Sequence, residues 1–285
     1  MNKDRGLKTL EDAAIRTRYA EVFAPRGYAG SLITAAALAL FVYGLWHLGF
    51  SFSKLIAGFG SLGSFALMMF PPDWGDTASL WRYTKALAET VAIALLGTLL
   101  AATIALPLSI IAARNATVSQ VLRFFTRRGF DTLRGVETLV WALIWINVVG
   151  LGPFAGVLAI ATSDIGSFGK LFSEAIEASD KRPVEGIVAS GGSRLHAIRF
   201  GILPQVAPVL ISQALYYFES NTRSATIIGI VGAGGIGLQL SEQIRTLEWQ
   251  TVCFIIIMIL VTVSAIDMLS TRIRIALIGK SVPPV

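Results

Sequence analysis

The sequence predicts an all-α protein, a polytopic bundle of about six membrane-spanning helices. Three observations lead there. Of 285 residues, 54% are hydrophobic and only 15% charged, whereas soluble domains carry about a quarter charged residues. No Asp, Glu, Lys or Arg occurs from Tyr28 to Phe50 or from Thr90 to Ala113, and a bilayer core is crossed by about 20 apolar helical residues. Positive charge is also sorted by side, as the order of segments makes plain. The single cysteine, Cys253, excludes an intrachain disulfide and reads as a small packing residue. With only His47 and His196 beside it, no metal site is expected.

Residues 1–27 read as a cytosolic tail. They are polar, carry Lys3, Arg5, Lys8, Arg16, Arg18 and Arg26, and are too long for the basic start of a signal peptide. A first, peripheral transmembrane helix covers 28–50, and 51–85 is an outer connection. The core, 86–272, opens with a span at about 86–112. The run 138–163 reads either as one long span or as two helices broken at Gly150-Leu151-Gly152-Pro153, and the break is preferred because Pro and Gly favour a turn there. Spans then follow at about 136–151, 154–178, 204–218 and 250–270, with a cytosolic C-tail at 273–285.

With both termini inside, 18 of the 24 Lys and Arg fall on the cytosolic side, as the positive-inside rule demands. They lie in the N-tail, the 113–134 loop, the 180–203 loop and the C-terminal end. Reading 138–163 as one span would spoil this asymmetry. Trp46, Trp74, Trp81 and Trp249 fall near the outer interface, where an aromatic belt belongs. Trp141 and Trp145, four apart, read as packing residues. Glu89 and Asp164 are expected near the outer surface, leaving no clear carboxylate at mid-depth.

The stretch 224–241 is uncharged and glycine-rich. A seventh span there would push the basic C-tail outside, so a partly re-entrant outer segment bordering a pathway is expected. Gly232 to Gly237 satisfies G-x-G-x-x-G, yet it lacks the preceding strand of a dinucleotide site. Gly279-Lys280-Ser281 resembles a phosphate-loop ending, but Arg274 stands where the first glycine is needed.

Residues 180–204 form two short helices on the cytosolic face. Asp180 caps the first, Gly191-Gly192 ends it, and Ser193 caps the second through Phe200. Leu195, Ile198 and Phe200 mix with Arg194 and Arg199, a pattern that also suits an amphipathic loop resting on headgroups. Glu185, Gly191 six later and Pro204 nineteen after Glu185 resemble the EAA loop of ABC importer permeases. Gly186, Ile187 and Gly201 depart from that loop's usual residues. Downstream, Tyr217-Phe218-Glu219-Ser220-Asn221-Thr222-Arg223-Ser224-Ala225-Thr226 through Gly237 resembles the phosphonate ABC transporter permeases. So do 150–156 and 169–175, and the likeness runs over about 135–245. Methionine importer permeases share the glycine-rich segment.

The resemblance implies a permease fold of the type I, methionine-permease-like kind in a bacterial inner membrane. It implies a homodimer of this chain, two ABC ATPase subunits and a periplasmic phosphonate-binding protein, with no nucleic acid. ATP and Mg²⁺ would sit on the ATPase; this chain would hold no cofactor or metal and perform no catalysis. Glu185, Gly191, Arg194, Leu195, Ile198, Arg199 and Pro204 are the expected ATPase-coupling residues. Glu219, Asn221, Arg223, Ser224, Thr226, Gly232, Gly234, Gly235 and Gly237 are the expected pathway residues. Arg223 has two readings. It lines an outer gate, where its fork suits phosphonate oxygens, or it pairs with Glu219 one helical turn back and fixes structure. Rival functions are a permease for phosphite, phosphate or methionine, a secondary anion transporter, and a membrane-embedded enzyme, for which no polar catalytic cluster is visible.

Overall fold

The computed structural model describes residues 27–117 and 119–278, and every regular element among them is helical. The chain divides into two units, 1–65 and 66–285. The first contains α1 (Gly27–His47), free of charged residues, and most of α2 (Phe52–Met68). The segment expected as an outer connection, 51–85, is thus largely helical. The 17 residues of α2 fall short of a full crossing. The assigned N-tail lies outside the described residues except for Gly27, as do 279–285 of the C-tail.

The second unit begins with α3 (Thr77–Ala112), followed by α4 (Gln120–Arg134), α5 (Thr138–Val149) and α6 (Pro153–Glu177). Asp76 caps α3 by accepting from the Ser79 amide at 2.8 Å. The Ser79 hydroxyl, and then its amide, hold the Asp76 carboxyl below the usual range. The cap is therefore intact above the ordinary carboxylate pKa and lost only as pH falls through the lowered value. α4 and α5 form one bent pair, turned by 90°. The expected break before α6 is present. Gly150 and Gly152 take φ of 92° and 134°, and Pro153 starts the helix where its missing N–H costs nothing.

After α6 come α7 (Lys181–Ala189), a short α8 (Arg194–His196), a π-helical turn at Ala197–Ile202 and α9 (Leu203–Ile230), then α10 (Ile236–Arg245) and α11 (Trp249–Ile278). Among the described residues four helices are long and apolar enough to cross a membrane, or five if the bent α4–α5 pair counts as one span. α6 holds Asp164, Lys170, Glu174 and Glu177, yet its 25 residues suffice to cross.

α6 is the central helix, with α3, α4, α5 and α9 packed on it. Lipid offers no hydrophobic drive between helices, so close approach of small residues carries the packing. On α3 the residues Ala94, Gly97, Ala101 and Ala105 recur every three or four positions and are buried. A Cβ on Gly97 would stand 2.8 Å from Ile160 of α6. At the other end Gly166 admits α4, since its Cβ would meet Phe130 O at 2.6 Å and Arg134 N at 2.7 Å. Trp141 and Trp145 pack in the core, and Trp145 donates to the Thr162 hydroxyl at 3.0 Å.

Because the atoms facing Gly166 are backbone, neither side can yield. Gly166→Ala is expected to destabilise the purified chain by about 1–3 kcal/mol, read as a lowered thermal midpoint in detergent. Gly129→Ala, where nothing stands within 4 Å, is the control.

Candidate functional site

The 180–204 segment and the arginines of α4 share one end of the bundle. Asp180 caps α7 by accepting from Arg182 N at 3.1 Å, and Gly191, at φ 84°, lets the chain leave that helix. Gln205 ties the segment to its span, accepting from Asp180 N at 3.0 Å and donating to Gly201 O at 2.6 Å. Arg194 reaches the loop between α3 and α4 and donates to Thr117 O at 2.7 Å. Leu195, Arg199, Phe200, Glu185 and Pro204 are exposed, whereas Ile198 is half-buried against the core and leaves the outer surface. The second short helix does not stop at Phe200. It runs through the π turn into α9, making one continuous helical rod from Arg194 to Ile230.

That continuity corrects the expected end of a span at Phe218. The polar run 219–226 stays helical because it satisfies itself. Thr222 donates to Phe218 O at 3.0 Å, Thr226 to Thr222 O at 3.2 Å, and Arg223 pairs with Glu219 at 3.1 Å. Only 231–235 is non-helical, between α9 and α10. The G-x-G-x-x-G run is thus a helix-to-helix turn. Gly232, Gly234 and Gly235 take φ of 105°, 84° and 73°. Gly234 is also hemmed in, since its Cβ would lie 2.7 Å from a Glu89 carboxylate oxygen and 2.9 Å from Pro153 N. Gly237, in the first turn of α10, packs on Gly229. The exposed N–H groups of that turn are met from α3, with Gly235 N donating to Glu89 Oε1 at 3.0 Å and Ile236 N to the Thr90 hydroxyl at 2.8 Å.

Along α9 the expected pathway residues divide between two faces. Asn221 is buried toward α3 and α6, and its Nδ2 donates to Thr98 Oγ1 at 2.8 Å and to Asp164 Oδ2 at 2.5 Å. Glu219, Arg223 and Thr226 lie on the other face. There Glu219, 7% exposed, accepts from Arg223 and lies 3.6 Å from Arg274 of α11. The Arg223 side chain is 51% exposed. Ser224 and Thr226 are half-buried with hydroxyls turned to their own helix.

Two sequence expectations are corrected here. Asp164 is not at an exposed surface; it is 5% exposed at the middle of α6. The segment expected as a C-tail is helical as far as Ile278, and Arg274 within it reaches Glu219. Sequence reasoning also missed Glu89, Thr90 and Thr98 as partners. The available signal was a polar residue inside an apolar span, which is costly unless paired or functional.

The described residues form a helix bundle in which the 180–204 loop runs on into a long apolar helix that ends at a glycine turn. The chain belongs to the family of binding-protein-dependent transport system inner membrane components, whose model matches residues 105–275. It is a multi-pass inner-membrane protein. A Stutzerimonas stutzeri relative, whose name proposes a phosphite transport system permease, HtxC, is 40% identical over 250 residues, 87% of this chain and 86% of that protein. An Escherichia coli K12 relative, whose name proposes a cryptic phosphonate transport system permease, PhnE2, is 52% identical over 118 residues, 41% of this chain and 97% of that protein. In fold, the chain is similar to a chain of the inward-facing MetNI methionine ABC transporter, with a TM-score of 0.61 at 16% identity over 71% of this chain and 99% of that one.

Asn221→Ala would leave Asp164 without its side-chain donor, and a buried polar group so orphaned costs about 1–3 kcal/mol. The expected result is a lower thermal midpoint, restored in large part by pairing the change with Asp164→Ala. A double variant no better than the single would show that Asn221 acts elsewhere.

Proposed function

We propose that this chain is the permease subunit of an ATP-driven importer that carries phosphonate, with phosphite and phosphate as the rival oxyanions, from a periplasmic binding protein into the cytosol. The single observation that carries the reading is the helical rod Arg194–Ile230. It joins an exposed cytosolic docking loop to the only turn of α9 where an exposed arginine stands on a buried carboxylate. The relatives' names supply the substrate class.

In this reading two copies of the chain face each other, and each docks one ATPase subunit through Glu185, Gly191, Arg194, Leu195, Arg199 and Pro204. ATP and Mg²⁺ sit on the ATPase, and this chain holds no cofactor and performs no covalent step. Closure of the ATPases pushes the 180–204 loop. Gln205, which grips both ends of that loop, passes the displacement to α9. Arg223 is the half-exposed cation that a tetrahedral phosphorus oxyanion meets, and its fork makes bidentate contacts to such oxygens. Ser224, Thr226 and the turn holding Gly232, Gly234, Gly235 and Gly237 border that path. Asn221 serves it from behind, as a tie that holds α9 to α3 and α6.

Asp164 lends some weight to a proton-coupled secondary transporter, which wants a carboxylate at mid-depth. Its oxygen, however, is engaged by Asn221 among packed helices. Uptake by the lone chain, driven by an ion gradient, would favour that second reading.

The test uses the whole assembly purified from its native membrane and reconstituted. ATP hydrolysis should rise when the binding protein and 2-aminoethylphosphonate are added together. Arg223→Gln should cut uptake roughly tenfold or more, the loss of one charged hydrogen-bonding partner, while the subunits still co-purify. Normal uptake by that variant would leave Arg223 as a helix-stabilising partner of Glu219 alone. Stimulation by phosphite but not the phosphonate would keep the importer and change its cargo.

A further inference from the structure

Four arginines converge where α3 ends and α4 begins. There a cavity of about 540 Å³ is lined by Arg114, Arg123, Arg127 and Arg128, with Val121 and Phe124 at its edge. Two of these guanidinium groups are fixed in place. Ala112 O, at the end of α3, accepts from Arg123 Nε at 3.2 Å and from Arg127 Nε at 3.1 Å. Glu177 Oε1 then accepts from Arg127 Nη2 at 2.7 Å and lies 3.8 Å from Arg123 Nη2. Held on these anchors, the forks are oriented before any ligand arrives, which lowers the cost of ordering them on binding.

The positive charge is not used up locally. Glu177 is shared by Arg123 and Arg127, and Arg128 pairs with Asp131 at 3.2 Å on its own helix. Arg114 has no ion pair among the described residues; only its backbone N–H bonds Glu177. Lys170 adds a further cation to the adjoining hollow beside Arg127 and Arg128. The surroundings are greasy. Val121, Leu122, Phe124 and Phe125 of the same helix are all exposed, Phe125 at 67%, and Arg128 lies over the Phe124 ring at 5.6 Å. Arginines above exposed aromatic and aliphatic side chains, at the cytosolic end of spans, match a headgroup layer, where long cations keep their stems in the apolar zone and their charge in the polar one.

We propose that this cavity binds the phosphate of an anionic phospholipid headgroup in the cytosolic leaflet. The guanidiniums take the phosphate oxygens, and Val121, Leu122, Phe124 and Phe125 lie against the acyl chains. A free oxyanion offers similar oxygens but makes no use of that apolar rim, and this favours the lipid as the source.

The full chain, purified in neutral detergent, would be examined by native mass spectrometry with phosphatidylglycerol and with phosphatidylcholine of identical acyl chains. Phosphatidylglycerol should stay bound at collision energies that strip phosphatidylcholine. Arg114→Gln with Arg128→Gln should lower its retention roughly ten- to thirtyfold, whereas Arg82→Gln with Lys85→Gln, in the first turns of α3 at the opposite end, should not. If the double variant does not survive purification, Arg128→Gln alone carries the test with a smaller fall, since its ion pair is within one helix. Equal retention of the two lipids, or unchanged retention in the variants, would overturn the proposal. Displacement by millimolar inorganic phosphate would assign the cavity to a soluble oxyanion instead. Displacement on adding the ATPase subunit would assign this face to protein contact.

Discussion

Close contact between α3 and α6 is the constraint on which the rest of this bundle depends. In a bilayer neither helix gains from leaving water at that contact, so their approach rests on dispersion forces over small side chains. Gly97 lets Ile160 seat against the α3 backbone, and Ala94, Ala101 and Ala105 continue the seam. That approach brings Thr98 and Asp164 near enough for one amide, from Asn221, to reach both. It also sets Glu89 and Thr90 of α3 beside the start of α6, where the 231–235 turn hangs between them. Gly152 N completes the attachment by donating to Gly232 O at 3.0 Å. Widening the seam by one methyl group would loosen both attachments of the α9–α10 segment.

Those attachments divide α9 into parts with different freedoms. Its middle is held by a buried tie and its outer end by the glycine turn. Its N-terminal end is continuous with the 180–204 loop through a π turn. A π turn carries one residue more than the α-helix around it, and such turns recur at functional positions. Here it lies directly between the exposed Leu195 and the first residues of the span. Gly201 within it lies close to α7, with room for a Cβ only 3.1 Å from Val184. Gly201 and Ile187, two of the residues that depart from the usual EAA pattern, thus fall at one packing contact of this loop.

Much of this organisation was legible in the sequence. Charge-free runs and Gly-x-Gly-Pro punctuation are local signals, and they located the long apolar helices and the break before α6. The two short helices of 180–204 were legible because caps and helix ends depend on neighbouring residues such as Asp180, Gly191 and Ser193. The misreadings share a different cause. Asp164 and Asn221 are 57 residues apart, and Glu89 and Gly235 are 146 apart. A charged or polar residue in an apolar run looks misplaced until its distant partner is known, so Asp164 was assigned to the cheap surface. The run 219–226 looked like the end of a span for the same reason, although back-bonding hydroxyls and one ion pair let it remain helical.

In the proposed path, the Glu219 cluster would offer positive charge without becoming an anion trap. Arg223 alone, facing a divalent oxyanion in a medium of low dielectric, would hold it tightly, since attraction between charges grows as screening falls. Conduction instead needs attraction strong enough to admit the ion and weak enough to release it. Glu219, buried between Arg223 and Arg274, offsets one of the two cations. Two arginines and one carboxylate leave a single net positive charge, spread over helices α9 and α11. Because the two cations sit on different helices, any relative movement of α9 and α11 changes how much of Glu219 each one holds. The net charge around Arg223 therefore depends on helix position. In the proposed importer, that dependence would link a push on the 180–204 loop to the grip on an anion.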